Sequence, residues 1–234
     1  MQAIILAGGK GKRLRPYTSM FPKPLMPIGE KPILEILVNQ LRASGIKKLI
    51  FAVGYLNHMI ESYFGDGKEF GVEITYSLEN EPLGTAGPIG LMLDQLDENF
   101  LVLNGDLLTD IKFSSLVSDH LSSNASATIA TFSRDVHIDF GVIYKNHQET
   151  LESYDEKPTI SYEVSMGINV FRKKDIEKFI VPNSYLDIPD LMLNLKNNGK
   201  MVRCITQDCL WLDIGRIEDY SIAEEVYAKN KHKF

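Results

Sequence analysis

Apolar runs of strand length alternate with segments of helical period along the first half of this chain. Ala3 to Leu6 is wholly apolar, the pattern of a parallel strand buried on both faces and not of a sheet with one wet side. From Pro32 to Ser44, the residues Ile33, Leu34, Ile36, Leu37 and Leu41 recur at the spacing of one helix face, and Gly45 suits the position just past a helix end. Lys48 to Val53 reads as the next strand and Leu56 to Phe64 as a helix closed by Gly65. Val72 to Tyr76 reads as a strand, Ala86 to Leu96 as a helix, and Phe100 to Leu103 as a buried strand ending at Asn104-Gly105-Asp106. Such alternation implies right-handed crossovers and a mostly parallel sheet covered by helices. The second half is less regular. It predicts strands at Ala127–Phe132, Gly141–Tyr144, Ser165–Phe171 and Met201–Ile205. Helices are expected at Ser114–Ser122, Lys173–Phe179, Asp187–Asn197 and Glu218–Lys229, and KNKHKF reads as a solvated tail. No repeat, low-complexity tract or linker interrupts the chain, so the pattern predicts one α/β domain over residues 1–234. Its N-terminal half is doubly wound, with a mostly parallel, Rossmann-like sheet; its C-terminal half is mixed and shapes the substrate pocket.

Composition narrows the class. An apolar content of 44% supports a real core, and a net charge of -6 argues against a general nucleic-acid binder. Cys204 and Cys209 are too few for a disulfide scaffold and lack the partners of a zinc site, so they read as ordinary thiols in a reducing compartment. The apolar run near the N-terminus is too short for a signal peptide, and its positive charge follows it. No apolar stretch is long enough to span a membrane. The expectation is a cytoplasmic protein with no membrane or nucleic-acid partner.

Against that acidic background the stretch AIILAGGKGKRLRPYTSMFPKP stands out, with Lys10, Lys12, Arg13, Arg15 and Lys23 crowded together. In a doubly wound sheet, ligands bind beyond the carboxyl ends of the strands. The loop after Leu6 and Ala7 is such an end. Gly8, Gly9 and Gly11 let the backbone approach a ligand and turn its N–H groups inward, while Arg13 and Lys23 add full charges. Backbone donors plus fixed cations suit a di- or triphosphate. The spacing is not that of a P-loop, and Leu14 stands where a Rossmann fingerprint needs its third glycine. A glycine turn with solvated charges is the plain alternative.

The wider pattern is more specific. Gly8-Gly9-x-Gly11-x-Arg13-Leu14-x-Pro16-x-Thr18, followed by Pro22-Lys23-Pro24, resembles the signature of the sugar-1-phosphate nucleotidyltransferases, the nucleotide-sugar pyrophosphorylases. The likeness runs over nearly the whole chain and implies the nucleotide-diphospho-sugar transferase type of fold. Glu81-Pro82-Leu83-Gly84-Thr85-Ala86-Gly87 resembles the family's second nucleotide-binding segment. The resemblance implies that Asp106 and, from Trp211-Leu212-Asp213-Ile214-Gly215, Asp213 hold Mg2+; two carboxylates plus substrate phosphates suit that hard cation. It implies that Lys157 of Glu156-Lys157-Pro158 meets the phosphate of a sugar 1-phosphate and that Glu156 accepts from sugar hydroxyls. Phe140-Gly141-Val142 is similar to the segment under the sugar ring, and Gly167-Ile168-Asn169 to one that meets the sugar beside Asn104. None of the five histidines falls in a motif.

The implied reaction is nucleotidyl transfer from a nucleoside triphosphate to a sugar 1-phosphate, with pyrophosphate leaving. Residues Leu6 to Gly11 and Arg13 hold the β- and γ-phosphates, Lys23 lies near the α-phosphate, and Lys157 aligns the sugar phosphate. EPLGTAGP with Pro88, and LWLDIGRIEDY, resemble the mannose-1-phosphate guanylyltransferase branch, and heptose-1-phosphate guanylyltransferases share similar segments. With Glu79 near the base edge, where it could accept from guanine N–H groups, GTP is the expected nucleotide. Uridylyl-, cytidylyl- and thymidylyltransferases remain open, as does a cytidylyltransferase acting on a small phosphate such as phosphocholine. A silent nucleotide-sugar sensor is the alternative of another class. Too few residues follow Gly215 for the C-terminal β-helix or regulatory domain of larger members, so the expectation is the nucleotidyltransferase unit alone; a homodimer is compatible with it.

Overall fold

The computed structural model describes residues 1–234. The chain begins with β1 (Gln2–Leu6), the short β2 (Pro27–Ile28) and β3 (Lys31–Pro32), and α1 (Ile33–Ala43). Then come β4 (Lys48–Val53), α2 (Asn57–Phe64), β5 (Glu73–Leu78), β6 (Asn99–Asn104), β7 (Leu107–Thr109) and α3 (Phe113–Leu121). The second half holds β8 (Ala127–His137), β9 (Val142–Lys145), β10 (Leu151–Asp155), β11 (Thr159–Arg172) and α4 (Lys173–Ile176). It closes with α5 (Ile188–Asn197), β12 (Val202–Thr206), β13 (Trp211–Asp213) and α6 (Ile217–Asn230).

Seven strands form the main sheet in the order β12-β8-β11-β6-β1-β4-β5. β1 runs parallel to both neighbours, with Leu6 opposite Ala52 on β4 and Asn104 on β6. β5 continues the parallel half, whereas β11 runs antiparallel between β6 and β8. The mostly parallel α/β architecture expected from the hydrophobic pattern is therefore the one observed. The carboxyl ends of β1, β4 and β6 open at one edge, and a register shift between Ser165 and Asn169 bends β11 beside them.

Alternation along β1 divides the core. Ala3 and Ile5 pack with Leu37, Leu41, Phe51 and Phe113 on one face, while Ile4 packs with Ile50, Phe100, Phe171 and Leu191 on the other. Each fully buried Phe or Leu side chain contributes about 1.5–3 kcal/mol, so both faces are strongly held. A third cluster joins Leu14, Ile28, Ile33, Leu108, Ile214 and Tyr227. It fastens the loop after β1 to the β7–β13 pair and to α6, and so sets the site's geometry from below.

The structure corrects several expectations. Residues 86–96 form two 3-10 turns, Gly87–Leu91 and Leu93–Gln95, and not a helix; Gly87, Pro88 and Gly90 remove the propensity an α-helix needs. β8 and β11 run well beyond their apolar segments, because their outer halves pair with each other while largely exposed. Lys229, Lys231, His232 and Lys233 are exposed, as expected of a solvated tail, but the segment is anchored at two points. Lys233 Nζ lies 3.0 Å from Asp110 Oδ2, and the Phe234 ring sits 5.6 Å from that of Tyr227. Both cysteines are free, and no helix is long and apolar enough to cross a membrane.

Candidate active site

The loop after β1 is held at both ends by backbone bonds. Ala7 N–H donates to Ala52 O at 2.8 Å, and Gly105 N–H donates to Leu6 O at 3.0 Å. Within the loop, Gly11 takes a φ of +56°, and an added Cβ would stand 2.8 Å from Thr18 Cγ2. Only glycine fits that turn without strain. The Thr18 hydroxyl closes it by donating to Gly11 O at 2.8 Å. Gly9 differs, since a Cβ there would meet no protein atom within 4 Å. Its bareness keeps the crevice open and does not serve internal packing. Leu14, fully buried, anchors the far side of the loop and leaves its neighbour Arg13 exposed.

Four charged side chains gather where β1 and β6 end. Lys23 Nζ pairs with Asp106 Oδ2, and both side chains are largely covered. The other oxygen, Asp106 Oδ1, is buried without a protein partner. Asp213 is brought alongside by β13, which pairs with β7, and by Ile214 N–H donating to Asp106 O at 3.2 Å. Loss of water around Asp213, and then repulsion from Asp106, push its carboxyl above the usual range; Lys23 and Arg13 pull the other way. Arg13 lies across Gly215, where an added Cβ would stand 3.3 Å from both terminal guanidinium nitrogens. A cleft of about 270 Å³ runs between Leu6, Gly9, Arg13, Lys23 and Asp106. A second depression, at Met1, Ser44 and Ser118 by the opposite ends of the strands, holds no acidic or basic side chain and offers no comparable chemistry.

Glu79 reaches the same loop from the end of β5. Its Oε1 lies 2.9 Å from where a Gly8 Cβ would be, and its Oε2 accepts from Leu83 N–H at 3.2 Å. Burial raises its pKa, and the Leu83 bond offsets part of that. Pro82 is exposed beside it. Gly84 and Gly87 are pinned by a neighbouring strap of chain: added Cβ atoms would lie 2.6 Å from Leu186 O and Ser184 O respectively. The Thr85 hydroxyl is likewise engaged by protein, donating to Asp187 and accepting from Ile188 N–H. The glycines of this segment thus have a packing reason of their own.

Asn104, at the end of β6, packs against Gly167, whose φ is +71° and whose added Cβ would sit 2.6 Å from Asn104 Nδ2. Asn169 is 1% exposed, and its Oδ1 has no protein partner. Gly141 lies against the Tyr154 ring on the β9–β10 hairpin. Glu156 and Lys157 follow that hairpin and are exposed, Lys157 with a φ of +47°. No hydrogen bond or ion pair joins either of them to the Arg13–Lys23–Asp106–Asp213 group. The structure therefore unites the loop, both aspartates, both cations and Glu79, and leaves the Glu156–Lys157 pair on a separate element.

Residues that the sequence does not single out also build this site. Tyr55 N–H donates to Gly8 O at 3.5 Å and its hydroxyl to Ser19 O at 3.3 Å, which ties both arms of the loop together. Asp187 precedes Ile188-Pro189 at the start of α5, where its sequence signal is that of an ordinary helix cap.

The chain is similar to known proteins over most of its length. A family model described as nucleotidyl transferase matches residues 2–230. The chain is 34% identical to a Synechocystis UTP–glucose-1-phosphate uridylyltransferase over 94% of its length, covering 61% of that protein. It is also 34% identical to a Schizosaccharomyces pombe mannose-1-phosphate guanyltransferase over its full length, covering 66% of that protein. The chain thus spans somewhat under two thirds of the length of these curated relatives. Among solved structures, HddC from Yersinia pseudotuberculosis superposes with a TM-score of 0.76 at 26% identity, over 97% of this chain and 99% of that one. A Bacillus anthracis protein, provisionally named a glucose-1-phosphate thymidylyltransferase and solved with sucrose, gives 0.78 at 26% identity over 97% and 94%. A chain that carries this loop and this sheet, and is matched by the family model over residues 2–230, belongs to the nucleotidyl transferase family.

Proposed function

We propose that the protein transfers a nucleotidyl group from a nucleoside triphosphate to a sugar 1-phosphate, releasing pyrophosphate. The observation that carries this reading is the pairing of a glycine loop with Arg13, Lys23, Asp106 and Asp213 at the carboxyl end of a parallel sheet. A phosphate oxygen of the sugar 1-phosphate attacks the α-phosphorus. The bond from the α-phosphorus to the bridging oxygen of the leaving group breaks, and its electron pair departs with pyrophosphate. An anion attacks a polyanion here, so the protein's work is alignment and charge neutralisation. Arg13 and the loop N–H groups hold the leaving phosphates. Lys23 lies nearer the α-phosphate, and Lys157, which follows the β9–β10 hairpin, meets the sugar phosphate. Glu156, Gly141, Asn104 and Asn169 line the sugar side.

Mg2+ fits the donor set. Asp106 Oδ1 is buried with no protein partner, and the exposed Asp213 stands beside it; two carboxylates with substrate phosphates suit this cation. When bound, it would neutralise charge on the α-phosphate and leaving group. GTP is the favoured nucleotide, because the Glu79 carboxylate keeps Oε1 turned toward Gly8, ready to accept from guanine N–H groups. A mannose- or heptose-type sugar is favoured on the same footing, by the GTAGP and WLDIG segments and by the guanyltransferase relative. The uridylyltransferase relative keeps UTP and glucose 1-phosphate as the second reading.

The test is pyrophosphate release with Mg2+ and each of GTP, UTP, CTP, dTTP and ATP against a panel of sugar 1-phosphates. Release should require one nucleotide and one sugar phosphate together. Silence across the panel contradicts the proposal.

A further inference from the structure

The bonding around the Leu83–Gly87 segment is reciprocal, and it involves a residue far away in the chain. Asp187 occupies the N-cap position of α5 with an extended backbone, yet its side chain caps nothing in its own helix. An Asp at this position normally accepts from the first-turn N–H groups and stabilises the helix by about 1 kcal/mol. Here its carboxylate turns away. Oδ1 accepts from Thr85 N–H at 2.9 Å and from the Thr85 hydroxyl at 3.1 Å, across 102 residues of sequence. The first N–H of the helix is satisfied from the same partner, since Ile188 N–H donates to Thr85 Oγ1 at 2.8 Å. Asp187 and Thr85 are bonded both ways: each satisfies the other's segment. Tyr185 completes the arrangement by donating to Asp187 Oδ2 at 2.7 Å.

The same strap makes backbone bonds to this segment. Leu186 N–H donates to Leu83 O at 2.9 Å, and Leu186 O accepts from Ala86 and Gly87 at 2.8 and 3.0 Å. Leu83 in turn donates to Glu79 Oε2, and Glu79 Oε1 stands beside Gly8. A continuous chain of contacts therefore runs from α5 to the glycine loop. The Thr85 hydroxyl has both its proton and an acceptor site taken, so it contributes to the crevice by fixing backbone.

We infer that Asp187 is a positioning residue for nucleotide binding, acting through Thr85 and Leu83 to hold Glu79 and the loop in the shape a nucleotide base meets. This deepens the proposed function and rests on it. Both Asp187 oxygens are engaged, Oδ1 by Thr85 and Oδ2 by Tyr185, so the side chain is fixed in place.

The experiment compares Asp187→Ala, Asp187→Asn, Thr85→Val and the Asp187→Ala/Thr85→Val pair in the full chain. Steady-state kinetics vary each substrate in turn, and the five triphosphates are titrated directly without sugar phosphate. Asp187→Ala should raise KM and Kd for the triphosphate on the order of tenfold, as expected for losing two bonds that hold the segment. KM for the sugar phosphate and kcat at saturation should stay within about twofold, since uniform binding alone is lost. Asp187→Asn keeps an oxygen for both Thr85 groups and should restore the parent values. The double variant should fall short of the sum of the two single effects, because both singles remove the same Thr85 hydroxyl–Asp187 bond. Equal rises in both KM values, a kcat loss without a KM change, an Asn variant as poor as Ala, or additive effects each overturn the inference. Failure of the parent reading looks different: the parent itself then releases no pyrophosphate. If it binds a triphosphate and Asp187→Ala binds it equally well, only the inference falls; if it binds none, both fall.

Discussion

Arg13 rests on the bare backbone of Gly215, and a graded series at that position tests whether the arginine works from there. An alanine Cβ would stand 3.3 Å from Nη1 and Nη2 and 3.4 Å from Cζ, so the guanidinium must yield by a few tenths of an ångström. A valine adds methyl groups about 1.5 Å further out, into space the guanidinium fills, and Arg13 must leave. Losing one charge-assisted contact to a leaving group costs about 2–4 kcal/mol of transition-state stabilisation, which is a rate loss of roughly thirty- to a thousandfold. Gly215→Val should therefore match Arg13→Met within that range, and Gly215→Ala should fall only several-fold. In the Arg13→Met background, Gly215→Val should have no further effect. Turnover by pyrophosphate release, with thermal melts to confirm folding, reads all four variants. A folded Gly215→Val enzyme that keeps parent turnover while Arg13→Met is inactive would refute this placement of the arginine.

Three further outcomes follow from named contacts. Asp106→Asn should lower turnover by about a hundred- to a thousandfold, the scale for one electrostatic group at the reacting centre, and a nearly active Asn variant would remove Asp106 from the proposed chemistry. Gly167→Ala forces a Cβ to 2.6 Å from Asn104 at a φ of +71°; calorimetry should show a loss of about 1–3 kcal/mol, and an unchanged melting temperature would mean that the bend at β11 is not constrained as described. His120 is fully buried, against Thr128 Oγ1 at 2.8 Å and Asn99 Oδ1 at 3.3 Å. Burial, then Arg172 and Arg203, push its pKa down to about 4. Between pH 7 and pH 5 the unfolded chain takes up a proton on His120 that the folded chain refuses, so stability falls as pH drops. The loss from this group is about 2 kcal/mol. Urea unfolding should show the parent losing that much more than His120→Gln over this range, and parallel losses would exclude the histidine as the cause.

The sequence made the parallel half of the fold legible, since strands buried on both faces leave uninterrupted runs such as Ala3–Leu6 and Phe100–Leu103. β7 and β13 were not legible. Strands of three residues carry no period, yet these two bring Asp213 to Asp106. The outer halves of β8 and β11 pair outside the core; β11 does alternate there, with Ile160, Tyr162 and Val164 between polar residues, but SRDVH on β8 is too polar to reveal its partner. In the site, Gly11, Arg13, Lys23 and Asp106 could be read from one loop and one strand end. Asp187 could not. Its local signal is that of a helix cap, and only the tertiary structure shows that it serves Thr85 instead. Gly84 and Gly87 stand in a segment that resembles a nucleotide-binding one, but the groups that approach them are carbonyls of the 184–186 strap.

The most direct test follows the phosphorus atoms. The parent enzyme, Mg2+, the triphosphate that supports release and its sugar 1-phosphate are observed together by phosphorus NMR. The account predicts that the sugar-phosphate resonance is replaced, one for one, by the paired resonances of a nucleoside-diphosphate sugar, with one pyrophosphate formed for each. Consumption of triphosphate to inorganic phosphate or nucleoside monophosphate, with the sugar phosphate left intact, would show a hydrolase and contradict it.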